Sequence, residues 1–235
     1  MSEIIKLLAQ FLAVMIIITL HEYAHARVAY WCGDPTAKFA GRMTLNPVKH
    51  FDPIGVLMFA FTGFGWAKPV PVNPNNFRKY RRGCFWTSAA GIIMNYITAF
   101  LFFGITALAY MYVIPKFNGT YMEIFLKVFL GSMVLYSLSF CVFNLLPVFP
   151  LDGFRIMDAL TKTRGKVYWF LRQYGYYVLL GLILVHYFAG YVPLFSYIDV
   201  LGYVLRFVRN IFGYPIEAFW EWIFKVCGKV LPITM

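Results

Sequence analysis

Two histidines and a glutamate lie within five residues near the N-terminus, in the order His21-Glu22-Tyr23-Ala24-His25. The surrounding sequence predicts a helix, and side chains four residues apart share one face of a helix. Two imidazoles on one face can bind one Zn²⁺ while the glutamate beside them acts as a base. The motif therefore predicts a hydrolytic zinc site with His21 and His25 as metal ligands and Glu22 as the general base. The alternative is a pair of interfacial histidines without a ligand.

A catalytic zinc usually has three protein ligands and leaves the fourth position for water. Asp152 is the best-placed third ligand, because it follows an apolar run within NLLPVFPLDG at residues 144–153. The prolines of this segment must distort or end a helix, and irregular backbone at membrane depth is tolerated where it lines a cavity. An Asp-Gly turn is the alternative role for Asp152. The other candidates are Asp52 as the alternative carboxylate ligand, His50 and His186 as weaker ligands, and Asp34 as a turn residue.

The composition places these groups in a membrane protein. Of the 235 residues, 61% are hydrophobic and 13% are charged, whereas soluble domains have about 45–50% apolar and about 25% charged residues. The aromatic share of 20% excludes a disordered chain. The four cysteines form no Cys-x-x-Cys pair, so neither a disulfide framework nor a zinc knuckle is indicated. We therefore expect an all-α integral membrane protein.

Long uncharged stretches predict about four to five transmembrane helices, since each span needs about 20 largely uncharged residues. The first begins near Ile4 and continues through the histidine motif. A signal peptide cleaved at Ala24-His25-Ala26 is a weaker interpretation of this stretch than a spanning helix, because the residues before it lack the usual net positive charge. Uncharged stretches at 84–114, 128–151 and 173–198 predict the next three spans. Residues 200–212 predict a fifth helix that could span, and residues 216–230 predict an amphipathic interfacial helix.

The interval 34–83 differs from the rest of the chain because it contains six prolines and cannot form one long helix. Two strand-like runs, 42–45 and 67–72, predict short β-hairpins or re-entrant segments between the first and second spans. An exposed strand edge in this interval could capture an unwound substrate.

The basic residues predict the orientation in the cell membrane. Of 21 lysines and arginines, nine lie between Arg27 and Arg82 and five between Arg155 and Arg172, whereas Lys116 and Lys127 are the two in 115–127. Cytoplasmic loops carry such an excess. We therefore expect the first and third loops, and with them the active site, on the cytoplasmic side and the N-terminus outside. The net charge of +11 then reports membrane topology and not nucleic-acid binding.

Four blocks of the sequence resemble the site-2 protease family of intramembrane zinc metalloproteases. They are HEYAH at 21–25, GDPTAKFAGRMTLNPVKHFDPIG at 33–55, GWAKPVPVNPNNFR at 65–78 with AGIIMN at 90–95, and NLLPVFPLDG at 144–153. The resemblance covers about residues 15–160 and is to the compact prokaryotic type with HExxH in the first span. Ile92 and Phe149 stand where relatives often have proline.

The resemblance implies one Zn²⁺ per chain, held by His21, His25 and Asp152, with Glu22 as the catalytic base. It also implies a substrate contact for Asn95 in the second span. Asn144 in the third span is a second candidate for such a contact. The alternative for both asparagines is a hydrogen bond between helices.

We accordingly expect a single polytopic metalloprotease domain over 1–235, with a catalytic core at about 4–160 and C-terminal transmembrane or interfacial helices at 173–235. The expected function is endoproteolysis of transmembrane protein substrates in or near the lipid bilayer. The alternative function is a catalytically silent membrane protein that binds or handles zinc.

Overall fold

The described part of the protein is helical. The structure is a computed structural model that describes residues 1–55, 58 and 67–233. Its helices are α1 (Ser2–Cys32), α2 (Thr36–Phe39), α3 (Tyr80–Tyr112), α4 (Tyr121–Leu145), α5 (Asp152–Leu160), α6 (Lys166–Ala189), α7 (Pro193–Ser196) and α8 (Val200–Val226), with short 3₁₀ helices at Pro47–His50, Pro74–Asn76 and Ile114–Phe117. Within those described ranges no residue is in a β-strand. The predicted all-α class is therefore confirmed.

Three of the described helices, α1, α3 and α4, are long and apolar enough to cross a membrane. They pack on one another, with Ala13 and Ile17 of α1 against Met133 of α4. Ala99 of α3 is fully buried between α4 and α8. Small residues at such crossings let transmembrane helices approach closely. The three helices form the frame on which the candidate site is built.

The predicted fourth span at 173–198 is not one helix. α6 begins earlier, at Lys166, and ends at Ala189, and the short α7 follows after a break at residues 190–192. Several tyrosines and Arg172 lower the mean hydropathy of α6, which is not among the three helices apolar enough to span. The expected total of four to five spans is therefore not confirmed.

The C-terminal region forms one helix where two were expected. α8 runs from Val200 to Val226 and continues through Pro215, which separates the two predicted segments. Two pairs of contacts occur in the same order along α3 and α8, Tyr96 with Phe212 and Phe100 with Trp220, and just after α8 Lys229 contacts Tyr112 at the end of α3. α8 therefore runs parallel to α3.

The strand-like runs at 42–45 and 67–72 are not strands. Segment 67–72, which we call the strap, has no regular secondary structure. Pro69 and Pro71 cannot donate to a β-ladder, so the backbone of the strap is held by isolated bonds such as Lys68 N to the His50 carbonyl at 3.0 Å. The rest of the expected re-entrant region, residues 56–57 and 59–66, lies outside the described residues.

Candidate metal centre

Two helices bring three of the predicted ligands together. His21 and His25 lie one turn apart on α1, and Asp152 is the first residue of α5. The Nε2 atoms of the two histidines are 2.9 Å apart, and Asp152 Oδ2 lies 3.3 Å from that of His21 and 3.0 Å from that of His25. All three side chains are buried. No other group of three potential metal ligands occurs in the part of the chain that the structure describes.

The donor set fits zinc. Bond lengths of about 2.0–2.1 Å and tetrahedral angles place ligand atoms about 3.3–3.4 Å apart, which is close to the observed separations. Asp152 Oδ2 is buried and faces both imidazoles, yet no described group donates a hydrogen bond to it. An unpartnered buried oxygen that faces two imidazoles is the arrangement that a bound metal would complete.

Helix α3 sets the orientation of the imidazoles. His25 Nδ1 lies 2.6 Å from the Thr87 carbonyl, which can only accept, so Nδ1 carries the proton and Nε2 has a free lone pair. His21 Nδ1 lies 3.0 Å from the side-chain amide of the fully buried Asn95, whose Oδ1 has no partner. Turning the amide so that Oδ1 accepts from His21 Nδ1–H satisfies both groups and frees His21 Nε2 for a metal.

Gly91 was not identified from the sequence, although it controls the approach of α3. A Cβ atom at this position would lie 2.5 Å from both His21 Cε1 and His25 Nε2. Thr87, Gly91 and Asn95 are spaced four residues apart and form one small or polar stripe along a mostly apolar helix. That stripe is the sequence signal that could have pointed to this face.

A second glycine places Asp152. A Cβ atom on Gly153 would overlap the carbonyl groups of Leu145 and Leu146 at the end of α4. The turn between α4 and α5, which includes a cis Phe149–Pro150 peptide bond, can therefore fold back closely on the end of α4. This close return brings the first residue of α5 to the histidines.

Glu22 lies beside the cluster and is not one of its three ligands. Its carboxylate is buried, and Oε2 accepts a hydrogen bond of 2.8 Å from the backbone N–H of Val70 in the strap. The Val70 side chain packs in turn against Ala26 of α1 and Ala37 of α2. The strap therefore holds one oxygen of the candidate base.

The remaining sequence candidates lie in other arrangements. The Asn144 amide donates to the Phe140 carbonyl within α4, and Asp52 accepts from the backbone N–H groups of residues 54 and 55. His50 Nε2 lies 2.9 Å from the Thr44 carbonyl, and His186 Nδ1 lies 2.9 Å from Asp199 Oδ2. None of these four side chains belongs to the metal cluster of the described residues.

Asp34 does more than form a turn. It is fully buried, and its carboxylate accepts hydrogen bonds from Thr36, from the backbone of Asn73 and from the side chain of Asn76. Burial raises the pKa of Asp34, but these hydrogen bonds outweigh burial and lower it. Asp34 thereby ties the end of α1 to the loop that leads into α3.

Comparison with known proteins agrees with the geometry. Residues 106–186, which include Asp152, match the family model described as Peptidase family M50. The chain is 40% identical over 182 residues to YwhC of Bacillus subtilis, named as a candidate zinc metalloprotease, and the match covers 77% of this chain and 78% of YwhC. It is 28% identical over 171 residues to Rip2 of Mycolicibacterium smegmatis, named in the same way, over 70% of this chain and 62% of Rip2. No solved structure matches.

Proposed function

This chain belongs to peptidase family M50 and is a zinc metalloprotease, and from that premise we propose that it is an intramembrane endopeptidase acting on transmembrane proteins. The observation that carries the proposal is the convergence of His21, His25 and Asp152 beside Glu22. Three of these four residues, His21, Glu22 and His25, lie on a helix apolar enough to cross a membrane, where ionisable side chains are costly without a function.

In this proposal His21, His25 and Asp152 hold one Zn²⁺. When bound, the metal would lower the pKa of a water molecule and polarise a substrate carbonyl. Glu22 accepts the proton of the attacking water and donates it to the leaving amine. Because a helix hides its carbonyls in its own hydrogen bonds, the substrate must be unwound before its peptide bond can enter the site.

In this proposal Asn95 both orients the His21 imidazole and contacts the substrate. With Oδ1 on His21 Nδ1–H, its NH₂ group is directed elsewhere and can donate to a substrate carbonyl. Asn144 is our second candidate for a substrate contact, since it is half-buried at the end of α4, close in sequence to the turn that carries Asp152.

We place the active site on the cytoplasmic side and the N-terminus outside, because the basic residues are concentrated in the loops after α1 and α4. Near its start, α6 contacts α5 through Phe154 and Tyr168, and near its end it contacts the start of α8 through His186 and Asp199. Since α8 is parallel to α3, both contacts lie toward the cytoplasmic end of the bundle. α6 is then an interfacial helix, and its tyrosines suit that depth.

In this topology α8 supplies the fourth crossing and the C-terminus lies outside. The assignment rests on packing against α3 and α4, since α8 carries five charged residues and is not among the three described helices that are apolar enough to span. Reporter fusions after residue 233 test it. A reporter that is active only outside the cell should be active there, and a cytoplasmic reporter signal would contradict the assignment.

The proposed activity is tested by co-expression with single-span membrane proteins. We expect Glu22→Gln to abolish cleavage while about one zinc per chain is retained, because Glu22 moves protons and is not a metal ligand. Glu221→Gln, an exposed glutamate on α8, is the matched control and should cleave as the wild type does. Cleavage that is unchanged in Glu22→Gln would overturn the protease mechanism. Stoichiometric zinc without any cleavage by the wild type would favour the silent zinc-handling alternative.

A further inference from the structure

A buried arginine outside the metal cluster is connected to Glu22 through one peptide group. Arg42 is 8% exposed, and its Nη2 donates to the carbonyls of Lys68 at 2.7 Å and Pro69 at 3.4 Å. The Pro69 carbonyl and the Val70 N–H belong to the same peptide group, and this N–H donates to Glu22 Oε2 at 2.8 Å. A cation and a carboxylate therefore bind opposite ends of one peptide group.

The two prolines of the strap leave the Val70 N–H without a neighbouring backbone donor at positions 69 and 71. Pro69 and Pro71 have no backbone N–H, so Val70 carries the only amide donor over these three residues. The amide before them, on Lys68, is already bound to the His50 carbonyl at 3.0 Å. Over residues 69–71 the strap can thus offer Glu22 one backbone donor, and the position of that donor depends on what holds the strap.

The burial of Arg42 requires a compensating interaction, because a buried guanidinium is costly unless it is hydrogen-bonded or paired. Within the described ranges, no carboxylate forms a salt bridge with Arg42, and its Nε atom has no partner. Its bonds go to the strap carbonyls. A cation on the carbonyl side polarises a peptide group and strengthens the hydrogen bond that its N–H donates.

We propose that Arg42 is a positioning residue for the catalytic base. It holds the Pro69–Val70 peptide group so that the Val70 N–H fixes Oε2 of Glu22 and leaves the other carboxylate oxygen directed for proton transfer. Arg42 contacts neither the metal ligands nor Glu22 and acts through the strap. This inference rests on the proposed function, in which Glu22 is the base.

Hydrogen exchange tests the geometry without any need for cleavage. A peptide covering 68–72 has three exchangeable amides, on Lys68, Val70 and Val72, since the two prolines have none. Arg42→Met should speed exchange at Val70 by about tenfold or more, because a loosened strap opens more often. Lys49→Met removes an exposed lysine of the same loop and should leave exchange unchanged. Exchange at Val70 that is the same in Arg42→Met as in the wild type would overturn the proposal.

Kinetics separate positioning from substrate binding. We expect Arg42→Met to lower kcat by about tenfold or more with KM within about twofold, because the lost interaction orients the base and does not bind substrate. Zinc should remain at about one per chain, and Arg42→Lys should restore part of kcat, since an ammonium can donate to the same carbonyls. A normal kcat in Arg42→Met, or a loss that appears only in KM, would contradict the role.

Two variants of Val70 isolate the N–H group. Val70→Pro removes the donor and keeps most of the side-chain volume, whereas Val70→Ala keeps the donor and loses packing against Ala26 and Ala37. We expect the proline variant to lose more of kcat than the alanine variant, and the reverse order would contradict the inference. If the proline variant does not fold, the Arg42 variants still test the positioning role. If the wild type cleaves nothing, the proposed function fails while hydrogen exchange still tests the strap.

Discussion

Two glycines on α3 each allow the helix to approach an aromatic ring closely, in two different regions of the protein. At Gly91 the helix approaches the imidazoles of His21 and His25, and at Gly104 it approaches the indole ring of Trp220 on α8. A Cβ at either position would overlap a ring. The imidazoles are held by Thr87, Asn95 and Asp152, whereas Trp220 lies on α8, which carries none of the proposed metal ligands. The same substitution should therefore have different consequences at the two places.

The contrast extends to the regions that contain them. α1 buries twelve residues, including His21, Glu22 and His25, whereas α6 buries three. Close packing around the metal centre leaves polar groups with fixed partners, while the C-terminal helices present large aromatic side chains at the surface. We therefore expect changes at residues that contact the proposed metal ligands to affect metal binding and activity, and changes in α6–α8 to affect stability alone.

The largest effect is expected at Asp152. Asp152→Ala should lose zinc and all cleavage, because it removes one of the three proposed ligands and leaves two buried imidazoles without their anionic neighbour. Metal content by mass spectrometry and substrate cleavage measure the effect. Asp158→Ala, in the same helix but bound to Tyr168 and Arg164, is the matched control and should keep its zinc. Full zinc occupancy in Asp152→Ala would refute the ligand assignment.

At Gly91 we expect a loss of cleavage that is smaller than the loss at Asp152. Gly91→Ala should reduce cleavage by about 100-fold, because a displacement of about 1 Å at a catalytic group is enough for such a loss. Gly131→Ala places a methyl group where no atom lies within 4 Å and should leave cleavage unchanged. The metal affinity of both variants shows whether the imidazoles have moved. Equal cleavage by the two variants would contradict the role of Gly91 in the approach of α3 to the imidazoles.

Asp34 provides a pH-dependent test within the metal-centre region. Asp34→Asn should lower the free energy of unfolding by about 1.5–3 kcal/mol at neutral pH, since hydrogen bonds to a charged group are lost. The hydrogen bonds lower the folded pKa, so the stabilisation is present above the unfolded value of about 3.9 and is lost as the pH falls through the folded pKa. Thermal unfolding in detergent should show the two proteins converging below about pH 4. A constant difference down to pH 2 would contradict this origin.

The smallest effect is expected at the C-terminal contact. Trp220 Nε1 donates to the Phe100 carbonyl at 2.9 Å. Trp220→Phe loses this bond and should destabilise the protein by about 0.5–1.5 kcal/mol. Zinc content and kcat should not change, because α8 contributes no ligand. A loss of zinc in this variant would mean that the two regions are coupled, and it would contradict the expectation that changes in α6–α8 affect stability alone.

Sequence was sufficient to predict a helical membrane protein and a zinc metalloprotease. Apolar composition predicted a helical membrane protein, because charged groups are too costly in lipid to be hidden by packing alone. The spacing of His21 and His25 predicted a shared face, since helix geometry is local. The Pro-rich segment before Asp152 predicted a break in the helix that could direct a carboxylate inward.

Tertiary structure decided what depends on contacts between distant residues. The closeness of Asp152 to the histidines depends on Gly153. The orientation of the imidazoles depends on two residues of α3 that lie 62 and 74 positions away along the chain. The strap carries strand-like residues, yet its prolines prevent a ladder and leave one N–H for Glu22. The direction of α8 follows from aromatic contacts with α3 that no local pattern encodes. Local periodicity specifies which face of a helix is polar, whereas the partner of that face is set by the packing of the whole chain.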